Sequence, residues 1–402
     1  MNSTVMDLAA LEGRVAREGA PLVDLPDEEG KCLVTFVWRG DAQTASVGVQ
    51  SQLGRPFQLI GLQRLDSSDL WVGSTRVDGD VTASYQLVVD YEDPGRDLSA
   101  LSREERGRVL LERFAHLRAD PLNPIRYPPP WYSPELPEEQ WESLLVMPKA
   151  LPRPASSGRD TRGQLERHSL ASIAFGADRL VEVYVPPTDP PSDGYRVVAV
   201  LDGTIWRSIT ASDRILEDLV VAGVIPPTVV LYVDIPLADR VKDLCCNPAL
   251  PRFLAEELLP WAQNRWVLSR RPADHVVAGF SLGGLAAAWT GYSRPDEFGS
   301  VMSLSGSYWW GIDADEEAEW LSRQFAQVQR LPLRWYQAVG RLELFHPLDE
   351  APGTSMGAAN RHLRTILNSK GYSLTYEEFP GGHEFCSWEL LFPHALEVLL
   401  AA

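Results

Sequence analysis

The segment Gly279-Phe280-Ser281-Leu282-Gly283-Gly284 is the feature that most constrains the fold of this chain. The apolar run His275–Ala278 precedes it and the alanine-rich stretch Leu285–Trp289 follows it, which predicts a strand, a tight turn and a helix. Glycines on both sides of a serine permit a strained turn that exposes the serine hydroxyl above a sheet. The segment therefore predicts a nucleophile elbow; the alternative is a turn whose hydroxyl only caps the helix.

The second half of the chain has the pattern of a parallel sheet. Apolar strands are predicted at Leu180–Val185, Tyr195–Leu201 and Thr228–Val233, and they alternate with helical segments. Strands that are apolar on both faces belong to sheets covered by helices on both sides. With the elbow at a strand's carboxyl end, this pattern predicts an α/β hydrolase (mostly parallel sheet with helices on both faces).

The first part of the chain has a different, two-residue periodicity. Short strands are predicted at Cys32–Trp38, Ala45–Val49 and Ala83–Val89, with polar turns between them, and they indicate an all-β immunoglobulin-like sandwich domain. A chain of 402 residues with 45% hydrophobic side chains suits two cores. We predict a sandwich domain with a following helix over 1–127, a proline-rich connecting strap over 128–158 and a catalytic domain over 159–402.

The charge and the cysteines limit the partners and the compartment. A formal net charge of -18 argues against nucleic acid or an anionic membrane surface as partner. The four cysteines fit no metal-ligand spacing, so we expect reduced structural thiols: Cys32, Cys245, Cys246 and Cys386. The start of the chain, Met1–Leu8, does not resemble a secretory leader, and we expect a cytoplasmic protein.

The base of an α/β hydrolase follows the nucleophile in the chain. The histidines after Ser281 are His346, His362, His383 and His394. His362 and His394 lie in helix-like stretches, whereas His383 follows a predicted strand and the turn Pro380-Gly381-Gly382. A histidine on a glycine-rich loop after a sheet strand can reach the serine, so His383 is the predicted base.

The acid is expected in the loop after the preceding strand, Leu333–Val339. Glu343 lies closest to the strand end and can hold the imidazole in one tautomer. Asp349 is the alternative, Glu350 is a further candidate, and a Ser-His dyad without an acid also remains open.

The oxyanion of an acyl-transfer reaction needs two backbone donors. One is the amide of Leu282, which follows the predicted nucleophile. The other is expected where Asp202-Gly203-Thr204 ends an early apolar strand, and we assign it to the Gly203/Thr204 backbone. The alternative for Asp202-Gly203 is a simple turn.

Motifs in both parts of the chain match one known family. In the first part they are Val34–Asp41, Asp69–Trp71, Tyr85–Leu87 and Asp120–Pro124. In the second part they are Leu201–Gly203 with Trp206, Arg240, Leu244–Asn247, Glu257–Pro260, Ser281–Leu285, Ser305–Trp310, and Gly381–His383 with Trp388. On these motifs the chain resembles, over most of its length, the enterochelin (enterobactin) esterases, cytoplasmic hydrolases of ferric catecholate siderophores.

The resemblance implies catalytic roles for Ser281, His383 and Glu343, and a first domain that packs over the hydrolase domain and helps to shape its active site. The chain departs from the family pattern in two places: at Leu282, where an aromatic residue is expected in many relatives, and over the tract Leu342–Gly357, where the match is weak. The implied substrate brings its own iron, so no cofactor and no protein metal site are expected.

An anionic ferric catecholate would need local cations and flat rings on a protein of this charge. The candidate substrate-binding residues are Arg207, Arg240, Trp206, Trp309, Trp310 and Trp388. Their alternatives are ordinary surface ion pairs for the arginines and core packing for the tryptophans.

The motifs predict a serine esterase, and the resemblance implies that it cleaves the trilactone backbone of a catecholate siderophore, with the iron complex as the expected form, and so allows iron release. One alternative is an acyl or feruloyl-type carboxylesterase whose sandwich is a carbohydrate module, because fold alone does not fix a substrate. A noncatalytic binding protein with a vestigial elbow is the other. The sequence leaves open the catecholate, the preference for ferric or free ligand, and the oligomeric state.

Overall fold

The computed structural model describes residues 8–41, 43–53, 59–65, 68–91, 101–130, 133, 135–154, 161–311, 318–344 and 355–401. The chain forms two compact units. Unit 1 comprises Met1–Leu151, Leu348–Glu350 and Pro380–Cys386, and unit 2 comprises Pro152–Pro347, Ala351–Phe379 and Ser387–Ala402.

Unit 1 is built on antiparallel strands. Its helices are α1 (Leu8–Glu18) and α2 (Arg103–Phe114), and its strands are β1 (Leu22–Val23), β2 (Lys31–Arg39), β3 (Val47–Ser51), β4 (Ile60–Arg64), β5 (Leu70–Asp78), β6 (Thr82–Val89), β7 (Leu117–Arg118), β8 (Arg126–Tyr127) and β9 (Glu142–Val146). The strand order is β1-β2-β5-β4-β3-β6-β9-β8, with β7 also paired to β6.

The sheet of unit 1 closes over a hydrophobic core. Phe36 on β2 and Tyr85 on β6 are separated by three strands in the sheet order, yet their rings meet edge to face with centroids 5.0 Å apart. In a sandwich, strands that lie far apart in the sheet order face each other across the core, as β2 and β6 do here. Helix α2 begins with a capping box in which Ser102 and Glu105 satisfy each other's backbone N–H groups.

Unit 2 is a mixed sheet flanked by helices. Its strands are β10 (Gln164–Ser172), β11 (Ala177–Val185), β12 (Arg196–Leu201), β13 (Thr228–Val233), β14 (His275–Phe280), β15 (Ser300–Leu304), β16 (Arg334–Gly340) and β17 (Ser373–Phe379). Its helices are α3 (Gly203–Ile209), α4 (Ser212–Val221), α5 (Arg240–Leu244), α6 (Ala249–Arg252), α7 (Leu259–Gln263), α8 (Leu282–Ser293), α9 (Trp320–Gln327), α10 (Met356–Ser369) and α11 (Phe385–Leu400), the last of which starts in unit 1.

The sheet order in unit 2 is β10-β11-β13-β12-β14-β15-β16-β17. The first three neighbouring strands pair antiparallel, and all pairs from β13 to β17 are parallel. β12, β13 and β14 are buried along nearly their whole lengths, as strands covered on both faces must be. The predicted fold, an antiparallel β domain followed by a mostly parallel sheet with helices, is confirmed.

The four cysteines are all unbonded thiols, and three of them are buried. Burial raises the pKa of the Cys245 thiol to about 11. Among the described residues, no helix combines the length and the apolar composition needed to cross a bilayer.

Candidate active site

Ser281 occupies a strained turn between β14 and α8. Its backbone has φ 55° and ψ -124°, a conformation that a side-chain-bearing residue adopts at a cost of about 1–3 kcal/mol. Hydrogen bonds hold the turn from both sides: the Ser281 N–H donates to the Leu304 carbonyl over 3.0 Å, and the Ser281 carbonyl accepts from Ser307 N over 3.0 Å. The order of strand, tight turn and helix is the one that the sequence predicted, and the role of Ser281 as a nucleophile stays a prediction.

The glycines around Ser281 are required by close packing and not by a positive φ. A Cβ on Gly279 would lie 2.3 Å from the Gly283 carbonyl oxygen, because the first turn of α8 packs against the end of β14. A Cβ on Gly284 would lie 2.9 Å from Gly306 Cα, so the helix also approaches the segment after β15. The left-handed φ itself falls on Ser281.

The elbow lies at the edge of the sheet where the parallel strands end. Because β12, β14, β15 and β16 run in one direction, their carboxyl ends bring Asp202, Ser281, Ser305 and Glu343 to the same edge. After β13 the chain crosses β12 to form β14 on its other side, so the elbow flanks a point where the strand order reverses. Open α/β sheets bind ligands at such points.

The two predicted oxyanion donors start neighbouring helices. The first intrahelical bond of α3 runs from Trp206 N to Asp202 O over 2.9 Å, so the Gly203 and Thr204 N–H groups lie in the first turn, where a helix has no acceptor of its own. The start of α3 also packs closely on β13, because a Cβ on Gly203 would lie 2.5 Å from Tyr232 backbone atoms. A Cβ on Gly283, one residue after Leu282, would lie 3.4 Å from Asp202 Oδ2, so the two helix starts are adjacent.

Asp202, which precedes α3, is held by Arg240. The Asp202 backbone is left-handed, with φ 53°, and its side chain is fully buried. Arg240 Nε donates to both carboxylate oxygens over 3.0 Å and Nη2 donates to Oδ2 over 2.8 Å. Burial raises the pKa of Asp202, and the Arg240 charge opposes that rise.

Glu343 is a buried carboxylate at the end of β16. It is 6% exposed, and its Oε1 accepts hydrogen bonds from Gly340 N over 2.8 Å and from Ser305 Oγ over 2.5 Å. Ser305 has a left-handed φ of 48° and also accepts a hydrogen bond from Trp388 Nε1 over 2.9 Å. The chain Trp388–Ser305–Glu343 therefore fixes the carboxylate.

Sequence reasoning missed Ser305 and the pairing of Asp202 with Arg240. Ser305 lies in the Ser305–Trp310 motif, but no spacing in the sequence shows that its hydroxyl reaches an acid after the next strand. A single aspartate beside a glycine is an ordinary turn signal, and only the fold reveals an arginine in contact with it.

His383 lies in segment 380–386, which belongs to unit 1, whereas Ser281 and Glu343 belong to unit 2. The other described histidines considered as bases have different partners. His362 Nδ1 lies 2.9 Å from a Glu319 carboxylate oxygen, and His394 Nε2 lies 3.0 Å from Glu377 Oε1. Three candidates lie outside the described residues: His346, Asp349 and Glu350.

The candidate substrate-binding residues separate into two groups. Trp206 and Trp388 are each 2% exposed and both stack on Phe280, with ring centroids 5.5 and 4.7 Å apart. Rings enclosed in this way are core residues, which corrects the expectation that they stack on a substrate. Trp309 and Trp310 are partly exposed.

Both candidate arginines are in ion pairs, the alternative that the sequence left open. Arg207 Nε donates to Glu182 over 2.7 Å, with Asp213 3.9 Å from Nη1, so its charge is matched by two acids. Arg240 is matched by Asp202 and keeps about a fifth of its side chain exposed.

A mostly parallel sheet with a strained serine turn at the carboxyl ends of its parallel strands defines an α/β-hydrolase class of protein. Comparison with known families gives a more specific result. Residues 172–399 match the family described as "Putative esterase", and residues 33–156 match the family described as "Enterochelin esterase, N-terminal". The chain belongs to the enterochelin esterase family and is an esterase-type hydrolase.

Two relatives match this chain along most of their length. The iron(III) enterobactin esterase of Dickeya dadantii is 28% identical, over 93% of this chain and 89% of its own. The iron(III) salmochelin esterase of Escherichia coli O6:H1 is 28% identical, over 88% of this chain and 84% of its own. The crystal structure of an enterobactin esterase from Shigella flexneri in the presence of 2,3-dihydroxy-N-benzoyl-glycine has a TM-score of 0.74 and 25% identity, covering 96% of this chain and 98% of that one.

Proposed function

We propose that this protein is a serine esterase that hydrolyses the trilactone backbone of a ferric catecholate siderophore through an acyl-enzyme. The observation that carries the proposal is the strained backbone of Ser281 between β14 and α8, because strain of this kind persists where an exposed nucleophile is needed. The substrate class comes from the relatives, whose names specify iron(III) enterobactin and iron(III) salmochelin.

In the acylation step, Ser281 Oγ attacks a lactone carbonyl while His383 takes the hydroxyl proton. The new oxyanion accepts hydrogen bonds from the Leu282 amide and from the Gly203 or Thr204 amide. The carbon–oxygen ester bond then breaks, and His383 returns the proton to the departing alkoxide, which leaves as a hydroxyl still attached to the opened ring. Glu343 orients the imidazole and stabilises its charged form.

In the second step, water hydrolyses the ester that joins the opened ring to Ser281. His383 takes a proton from water, the hydroxide attacks the acyl carbon, and Ser281 leaves with the proton returned to its oxygen. The product is a linear carboxylic acid. Iron travels with the substrate throughout and is not a cofactor of the protein.

Substrate contacts are assigned to the partly exposed rings of Trp309 and Trp310, and the exposed part of Arg240 is assigned as the cation. Aromatic faces suit catechol rings, and a guanidinium edge suits phenolate oxygens. Arg207 has two acidic neighbours and is a weaker candidate for an anion.

The proposed compartment is the cytoplasm. Four unbonded cysteines suit a reducing environment, where structural disulfides are rare.

Labelling of Ser281 by a fluorophosphonate, read by peptide mass spectrometry, tests the nucleophile. We expect labelling of wild type and none of Ser281→Ala, together with loss of trilactone hydrolysis by the same variant. Ser369→Ala is the matched control, because the Ser369 hydroxyl is exposed and only caps its own helix through Ile366 O over 2.8 Å. Full hydrolysis by Ser281→Ala would overturn the proposal.

A further inference from the structure

Segment 380–386, which carries His383, lies against one edge of β6 in unit 1. Strand β3 pairs with this edge only as far as the pair Ser51–Tyr85, so it does not cover the residues of β6 that precede Tyr85. Beyond that point a backbone hydrogen bond joins β6 to the segment, from Thr82 N to Pro380 O over 3.3 Å. A Cβ on Gly382 would lie 2.6 Å from the Cβ of Gln52, the residue just after β3, so the two chains meet closely.

Glu384 makes the second attachment. Two residues along β6 from Thr82, on the same edge of the strand, Ser84 N donates to Glu384 Oε2 over 2.8 Å and Ser84 Oγ donates to the same oxygen over 2.7 Å. Glu384 and Ser84 are 7% and 8% exposed. A carboxylate buried at this depth is tolerated because it receives hydrogen bonds, and hydrogen bonds to a charged acceptor are the stronger kind.

We propose that Ser84 and Glu384 form a tether that positions the His383 loop, which makes Glu384 a positioning residue for catalysis. This inference rests on the proposed function in that His383 is the base. Glu384 is the next residue in the chain, so its Cα is about 3.8 Å from that of His383, and a fixed carboxylate limits the backbone on which the imidazole is mounted.

Burying the Glu384 carboxylate has an electrostatic cost, which indicates that this side chain does more than fill space. Burial raises the pKa of Glu384 to about 7, although the hydrogen bonds from Ser84 lower it. Glu142 on β9 faces the same serine; burial and the Glu384 charge raise the pKa of Glu142 to about 8. An apolar side chain at 384 would avoid this cost, but it could not accept the two hydrogen bonds that hold the loop.

The test compares Glu384→Ala, Glu384→Gln and Ser84→Ala. The probes are a fluorophosphonate, which reports the reactivity of Ser281, and a ferric trilactone catecholate for kcat and KM. We expect Glu384→Ala to lower the labelling rate and kcat about tenfold with little change in KM, because small displacements of a catalytic group cost rate more than binding. Glu384→Gln keeps an acceptor oxygen for Ser84 and should restore most of the rate.

Ser46→Ala is the matched control in the same unit, since it removes a hydroxyl that donates to Tyr91 O over 2.7 Å. It should leave labelling and kcat at wild-type values. A thermal melt of every variant separates loss of the tether from loss of the fold. Wild-type kcat in Glu384→Ala, or a loss that Glu384→Gln does not restore, overturns the tether.

Two further variants distinguish failure of the tether from failure of the proposed function. If Ser281→Ala and His383→Ala abolish turnover while Glu384→Ala is unaffected, only the tether is wrong. If Ser281→Ala or His383→Ala keeps wild-type turnover, the proposed function is wrong.

Discussion

Replacing Arg240 by methionine is expected to destabilise the protein and slow catalysis together. Asp202 is 1% exposed, and Arg240 supplies the three hydrogen bonds that compensate its buried charge. Removing one member of a fully buried ion pair costs about 3–5 kcal/mol. Because about a fifth of the Arg240 side chain is exposed and water can replace it in part, we expect a loss of about 2–4 kcal/mol in unfolding free energy.

The same variant should lower kcat about 10- to 100-fold, since Asp202 precedes the α3 amides assigned to the oxyanion and one such donor is worth about 100-fold or more. The pH dependence follows from the pKa of Asp202, which burial already raises. Without Arg240 the pKa of Asp202 rises further. The loss in unfolding free energy is therefore largest at about pH 8, and it becomes smaller at lower pH, where the carboxyl is protonated.

Urea unfolding at about pH 8 and about pH 5, with kcat measured in parallel, is the assay. The double variant Asp202→Asn/Arg240→Met is the control, because asparagine tolerates the left-handed backbone and carries no charge. It should recover most of the lost stability at pH 8. An Arg240→Met protein as stable as wild type, or a deficit that the double variant does not reduce, would show that the buried charge of Asp202 does not depend on Arg240.

Three other changes have defined outcomes. Gly279→Ala places a Cβ 2.3 Å from backbone and should cost about 3 kcal/mol or more in unfolding free energy, whereas Gly107→Ala, with nothing within 4 Å, should be neutral or slightly stabilising in a melt. Ser305→Ala removes one of the donors that orient Glu343 and should reduce kcat several-fold without changing KM; an equal rise in KM would count against it. Glu142→Gln should match wild type at about pH 5 and be about 1–3 kcal/mol more stable at about pH 8, because a carboxyl whose folded pKa is raised loses stabilisation as pH rises through that pKa.

The sequence predicted the local elements of the site because their signals are local. Ser281 lies between an apolar strand and an alanine-rich helix, and that order, with the glycines on both sides of the serine, predicts the turn. Glu343 was assigned by its distance from a strand end, and the structure places it, buried, at the end of β16.

The partners of these elements could not be predicted, because they come from distant parts of the chain. Ser305 and Glu343 lie 38 residues apart, and Ser84 and Glu384 lie 300 apart. Periodicity gives the face of a strand but not which hydroxyl meets which acid across a sheet. For the same reason, the burial of Trp206 on Phe280 was not visible in a composition rich in tryptophan.

The proposed mechanism requires Ser281 to become covalently acylated by a trilactone. Rapid acid quench of wild-type enzyme with a ferric trilactone catecholate, followed by peptide mass spectrometry, detects that intermediate. We predict that the peptide containing Ser281 gains the mass of one cyclic trilactone, because ring opening adds the whole ligand to the serine and releases nothing, and that Ser281→Ala gives neither adduct nor linear product. Linear product formed by Ser281→Ala at the wild-type rate would contradict the account.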